Sequence, residues 1–227
     1  MKKTTTILCL GIALCMLGCS DDDDQVTTTS TVPFSLTASL SPRSSDAEDT
    51  GILQGNWDAN SQLAVIKTGS SGVPKSILTR KTDSSDTFTG NLSTLVKNEN
   101  EIAVFYPAAA ITANSSDTLT QTLNLSGQDG TLAGITNYDY LWAQCKAGMN
   151  ETTGSSACEM TSLVTIGKFQ FTVNGGSPLN NITRITITAT AGTLYSSAVM
   201  KLKNGEFSST QTGNITIKNK AGISGTT

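Results

Sequence analysis

The chain has no histidine among its 227 residues. Imidazole is the usual acid-base group near neutral pH and a common metal ligand, so its absence excludes Ser-His-Asp and Cys-His nucleophilic centres and His-ligated metal sites. Charged residues make up only 15% and the net charge is −3. A nucleic-acid footprint needs clustered Lys and Arg, so no nucleic-acid partner is expected. No apolar run reaches the roughly 20 residues of a membrane-spanning helix. No segment holds a 3.6-residue period over three turns, which removes helical architectures. Hydrophobic residues are 37% and aromatics 5%. What the chain has in quantity is Ser and Thr, 62 residues in all. Low charge with abundant Thr and few helix formers points to a β-rich chain of secreted type.

The first 24 residues carry an address. Lys2 and Lys3 precede ILCLGIALCML, an uncharged run over residues 7–17. That length suits the core of a secretory signal. It ends in Met16-Leu17-Gly18-Cys19, which resembles the bacterial lipobox. The resemblance implies cleavage between Gly18 and Cys19 and lipidation of the Cys19 thiol; the plainer alternative is a simple secretory signal with an incidental cysteine. Several acyl chains, at about 0.8 kcal/mol per buried methylene, anchor a protein stably without a transmembrane helix. Ser20 and then Asp21, Asp22, Asp23 and Asp24 follow. Four adjacent carboxylates repel one another and stay solvated, as in an extended tether. An acidic run abutting the lipidated cysteine also resembles the surface-export signal of Bacteroidetes lipoproteins. Without Lys2 and Lys3 the chain has 13 basic against 18 acidic residues, a net −5, and setting aside the four-Asp run leaves −1. The acidity belongs to the tether more than to the body.

Cys9 and Cys15 fall within the signal, and Cys19 is the lipid acceptor. Cys145 and Cys158 remain, an even pair on an oxidising route. The segment between them, KAGMNETTGSSA, is polar and is expected to be a loop joining two strands. A disulfide closing a loop of that size would contribute about 3 kcal/mol in the chain-entropy treatment. Spacing alone leaves open two unpaired thiols on unrelated faces.

After the low-complexity QVTTTST, over residues 25–31, the pattern becomes period two. Val32, Phe34, Leu36, Ala38 and Leu40 alternate with polar residues, which predicts a half-buried strand over 32–40. Residues 42–49, including Arg43 and the acidic Asp46, Glu48 and Asp49, form a polar loop. Leu63, Ala64, Val65 and Ile66 predict a short buried strand, as does IAVFY over 102–106. Further alternating segments are Leu119, Leu123 and Leu125; Phe169, Phe171 and Val173; Ile185 and Ile187; Met200 and Leu202; and Ile215 and Ile217. Asn174-Gly175 and Asn204-Gly205 are hairpin-turn pairs. A short helical turn is expected within residues 131–138. Many short strands separated by turn signals predict an all-β sandwich or barrel.

The ordered landmarks Trp57-Asp58 before Leu63-Ala64-Val65, Phe88-Thr89-Gly90-Asn91-Leu92, Ile102 to Pro107, Gln128-Asp129-Gly130, Tyr138-Asp139-Tyr140-Leu141-Trp142 and Phe169-Gln170-Phe171 resemble the fimbrillin-like, type V pilin-like family of Bacteroidetes surface lipoproteins. The resemblance covers about residues 32–217. It implies a transthyretin-like β-sandwich in one domain, over 32–220, after a signal peptide (1–18) and a tether (19–31), with a tail at 221–227. Relatives of this type carry a second β domain, so the chain is expected to be either a single-domain relative or an N-terminal part. The resemblance further implies a fimbria subunit or adhesin in the outer membrane. A maturation protease would cut after Arg43, releasing the first strand, and another fimbrial subunit would fill the vacated position by strand addition. Without the resemblance, Arg43 is an ordinary solvated arginine.

Other constellations carry less. Tyr138, Tyr140 and Trp142 alternate, as on a sugar-stacking ledge, which would suit a surface carbohydrate-binding accessory lipoprotein; packing in a core is the commoner role for such residues. Acidic residues are scattered, so no carboxylate pair for glycoside hydrolysis can be nominated. Residues 46–49 lack the spacing of a calcium loop. Lys75, Arg80 and Lys81 are expected at the surface. Asp117-Thr118-Leu119 resembles the Bacteroidetes O-glycosylation acceptor, with Thr118 as the acceptor. The expectation is a surface protein without catalytic residues, metal or cofactor, whose partners are the outer membrane, other subunits and host or bacterial surface ligands.

Overall fold

The structure, a computed structural model, describes residues 30–40, 56–69, 73–83, 86–111, 120–131, 134, 137–164, 182–191 and 194–223. Gly18, Cys19, Ser20, the Asp21 to Asp24 tether, the Arg43 loop, Thr118 and the expected strand around Phe169, Phe171 and Val173 lie outside the described residues.

The described chain is all-β. Its strands are β1 (Thr31–Leu40), β2 (Gln62–Lys67), β3 (Ser76–Arg80), β4 (Thr87–Ser93), β5 (Glu101–Tyr106), β6 (Thr120–Asn124), β7 (Leu141–Lys146), β8 (Gly148–Met149), β9 (Gly154–Ser162), β10 (Ile182–Ile187), β11 (Tyr195–Lys201), β12 (Phe207–Thr212) and β13 (Ile215–Ile223). A 3-10 turn, Ala108–Ala110, follows β5. Where residues 131–138 are described, hydrogen-bonded turns link Gly134 to Thr131 and Asn137 to Gly134.

Eight strands form the main sheet, in the order β1-β4-β3-β2-β5-β7-β9-β8. β9 also pairs with β1, so the sheet closes on itself. That seam, Phe34↔Gly154 through Leu40↔Met160, is parallel, whereas the other pairings among the described residues are antiparallel. Phe34, Leu36 and Ala38 of β1 enter the closed core with Leu63, Val65, Leu78, Phe88, Leu92, Ile102, Val104 and Leu141.

A second, smaller apolar layer lies on the other face of β2, β5 and β7. Ala64, Ile66, Ala103, Phe105 and Tyr140 meet Leu123, Met200 and Leu202 there. The last three come from β6 and from β11 with its following turn, in the three-stranded sheet β12-β11-β6. β10 and β13 form a separate two-stranded ladder in which Ile182 pairs with Ile223. The two layers explain LAVI and IAVFY. A strand covered on both faces reads as a continuous apolar run, whereas β1, with one face outward, alternates.

The Asn204-Gly205 turn joins β11 to β12 as the sequence predicts. Lys201 N–H donates to the Glu206 carbonyl at 2.7 Å and Glu206 N–H to Asn204 Oδ1 at 3.2 Å. Gly205 has φ +70°, and a Cβ there would lie 2.7 Å from the Trp142 ring. Gly205→Ala is therefore expected to cost about 1–2 kcal/mol from the left-handed backbone alone, read as a lower urea midpoint. An unchanged midpoint would refute this account of the turn.

Candidate functional site

The most distinctive site in the fold is the position held by β1. The strand is paired to β4 over Thr31↔Ser93 through Thr37↔Thr87 and to β9 over Phe34↔Gly154 through Leu40↔Met160, so Phe34 to Thr37 are held along both edges. Inward residues Val32, Phe34, Leu36 and Ala38 are buried, and the intervening positions are exposed or half-buried. The ends are tied as well. Thr94 donates from its N–H (2.9 Å) and its hydroxyl (3.0 Å) to the Ser30 carbonyl, and Ala38 N–H donates to the Asp86 carbonyl at 2.8 Å. From beneath, the buried Trp57 Nε1–H donates to the Ala38 carbonyl at 2.7 Å. Its ring meets Phe88 edge-on at 5.0 Å and Tyr106 at 5.2 Å. An open cleft of about 420 Å³ lies at the start of β1, between Val32, Val96, Met149 and Asn150. β1 thus occupies a complete strand position, with alternating side-chain sockets and two hydrogen-bonding edges.

Cys145 and Cys158 are the second feature. Both are free, half-buried thiols packed against the closed core. The segment between them is not a simple loop, as the sequence suggests. It continues as β8, turns over Asn150 to Thr153 and returns as β9. Asn150 Oδ1 accepts from the N–H groups of Thr152 and Thr153 and so fixes that turn. The strand character was hidden because the inward positions of β9 carry Ser156 and Cys158 in place of large apolar residues. Ser156 Oγ lies 2.7 Å from the Lys146 carbonyl and 3.3 Å from Cys145 Sγ. The hydrogen bond from Cys158 holds the Cys145 thiol down at about 7; burial opposes this and Ser156 adds to it. Cys158, the donor, is pushed up by that bond, by burial and by the charge on Cys145.

The three aromatics do not form a ledge, and packing, the commoner role for such residues, is what the structure shows for Tyr140 and Trp142. Tyr138 sits in a turn before β7, Tyr140 is 7% exposed, and only Trp142 lies within the strand. Tyr140 Oη donates to the Asn124 carbonyl at 3.1 Å, and burial raises its pKa despite that bond. Trp142 is half-buried against the second core layer, with Nε1 3.4 Å from the Leu202 carbonyl. Both rings are used in packing β7 onto the second layer, which takes away the feature that suggested carbohydrate stacking. Lys75 donates to the Ile111 carbonyl, and Lys81 forms an exposed ion pair with Asp83 at 3.1 Å. Among the described residues no three potential metal ligands come together, and no helix is long and apolar enough to cross a membrane.

Sequence reasoning treated Trp57 as a landmark and missed its work beneath β1. Its isolation in a polar stretch, between Asn56 and Asp58, was the available signal, because a lone large aromatic in such a setting commonly anchors a loop to a core.

Fold and site together define an all-β protein whose first strand completes a closed sheet. No protein-family model matches the chain, and no curated protein matches it. Among solved structures it is similar to the crystal structure of a "putative cell adhesion protein" from Bacteroides ovatus, with a TM-score of 0.44 and 13% identity over 86% of this chain and 76% of that one. The likeness is remote and assigns neither family nor function.

Proposed function

We propose that the chain is a non-catalytic surface lipoprotein, anchored in the outer membrane through Cys19, that serves as an adhesin or fimbrial subunit and assembles by exchange of β1. The observation that carries the reading is the two-edged, socketed position of β1. Removing a strand so held would expose the β4 and β9 edges together with the empty places of Phe34, Leu36 and Ala38. An extended segment with the same alternation, from another subunit, would satisfy both. Arg43 lies three residues beyond the end of β1, so a cut there would release the whole strand. The lipobox-like MLGC, the acidic run and the ordered fimbrillin-like landmarks support the surface placement.

The experiment is limited digestion of the full chain with an arginine-specific protease, followed by N-terminal sequencing of monomeric and assembled fractions. A new terminus at Ser44 in oligomers that have lost residues 31–40 is expected. Oligomers that keep residues 31–40 would rule out strand exchange.

A further inference from the structure

The thiol pair acquires a specific role from the register of the β7–β9 hairpin. Leu141 faces Ser162 and Trp142 faces Thr161 at one end. Gly148 faces Ser155 and Met149 faces Gly154 at the other. Both ends keep the same register, and counting inward from either end puts Cys145 directly opposite Cys158. Between them the ladder is open, since the near edge of β9 carries no β7 pairing from Ser156 to Met160. Inside this gap Ser156 Oγ of β9 lies 3.3 Å from Cys145 Sγ of β7, so side chains of the two strands meet where the backbones do not. Directly opposed residues in a regular antiparallel pair have Cα atoms about 4.5–5.5 Å apart, and a disulfide spans up to about 6.8 Å, so facing cysteines tolerate a modest widening of the ladder. A gap in a ladder, two facing cysteines within it and a serine hydroxyl of β9 against the Cys145 sulfur are three separate features of the same place.

We propose that Cys145 and Cys158 are a disulfide-forming site, with Cys145 as the attacking sulfur and Cys158 as the resolving one, whose bond replaces the missing rungs between β7 and β9. The oxidant is a disulfide-bearing small molecule or protein. The Cys145 thiolate attacks one of its sulfurs, forming a mixed disulfide and expelling a thiolate. Cys158 then loses its proton and attacks Cys145 Sγ, the mixed disulfide breaks, and a second thiolate leaves. Two electrons and two protons pass from the cysteine pair to the oxidant. The order follows from position. Ser156 Oγ lies 3.3 Å from Cys145 Sγ, where its hydroxyl favours a thiolate, whereas Cys158 Sγ lies 3.8 Å from Met160 Sδ, a thioether that has no proton to donate. The proposal does not depend on strand exchange.

The test uses the full chain in detergent with oxidised glutathione, quenching by N-ethylmaleimide and tryptic mapping without reductant. Trypsin cuts after Lys146, between the two cysteines, so peptides 98–146 and 147–168 stay together only through the bond. A linked species that dithiothreitol splits into these two peptides is expected. Recovery of both peptides as maleimide adducts, or as stable glutathione adducts, would overturn the site. The single variants test the order. Cys158→Ser, which retains a hydroxyl donor, should trap glutathione on Cys145 about 10-fold faster at pH 7 than Cys145→Ser traps it on Cys158. Equal rates, or a faster Cys158, would overturn the assignment of the attacking sulfur. The wild-type map reports independently of whether either variant folds.

Discussion

Trp57→Ala is expected to lower the unfolding free energy by about 3–5 kcal/mol, the range for deleting a fully buried large aromatic. Three losses combine at this residue. The cavity would open between Phe88 and Tyr106, both edge-on neighbours. The Ala38 carbonyl would lose the 2.7 Å bond from Nε1. Water would gain a path to the underside of β1. Trp57→Phe separates the terms, because it keeps a ring but not the N–H; about 1–3 kcal/mol is expected for the orphaned carbonyl. Urea denaturation followed by circular dichroism reads both. A loss under 1 kcal/mol for the alanine variant would mean that Trp57 does not hold β1 in place.

The second large effect is Leu36→Asp. Leu36 is fully buried in the middle of β1, opposite Phe88. A carboxylate there has no cationic partner in the apolar cluster around it. Burying it costs several kcal/mol, comparable with the whole stability of many domains, so loss of the cooperative transition is expected. Thr37→Asp, one residue along on the exposed face, should stay within about 0.5 kcal/mol of the parent. The same pair probes strand exchange. A synthetic peptide of residues 31–40 should bind the chain cut after Arg43. The Leu36→Asp peptide should bind at least about 100-fold more weakly, and the Thr37→Asp peptide about as well as the parent. Equal binding by all three would show that the β1 sockets do not select the strand.

β1, β2 and β5 were legible because their burial follows simple rules: strict alternation where one face is covered, an unbroken apolar run where both are. The Asn204-Gly205 hairpin was legible from its turn chemistry. β3 and β9 were not, for a related reason. Ser76 is a buried position of β3, and Ser156 and Cys158 are the inward positions of β9, so the residues that pattern matching relies on are small or polar there. The aromatic series 138, 140, 142 failed because alternation was assumed to begin before the strand does; β7 starts at Leu141, and Tyr140 is held at its approach by Asn124. The cysteine pair was visible in sequence only as an even number. Its opposition came from the hairpin register, which no count of intervening residues contains.

The parallel seam between β1 and β9 also sets the order of events during synthesis. Ser39 reaches across to the Cys158 carbonyl over 119 positions of sequence. β1 therefore leaves the ribosome first, yet its second neighbour is among the last parts of the main sheet to be made. At about 5–20 residues per second, the intervening chain takes on the order of 6–25 seconds to appear. Through that interval the N-terminal strand can pair with β4 alone, and closure of the sheet is a late, long-range step of the kind that makes β folds slow.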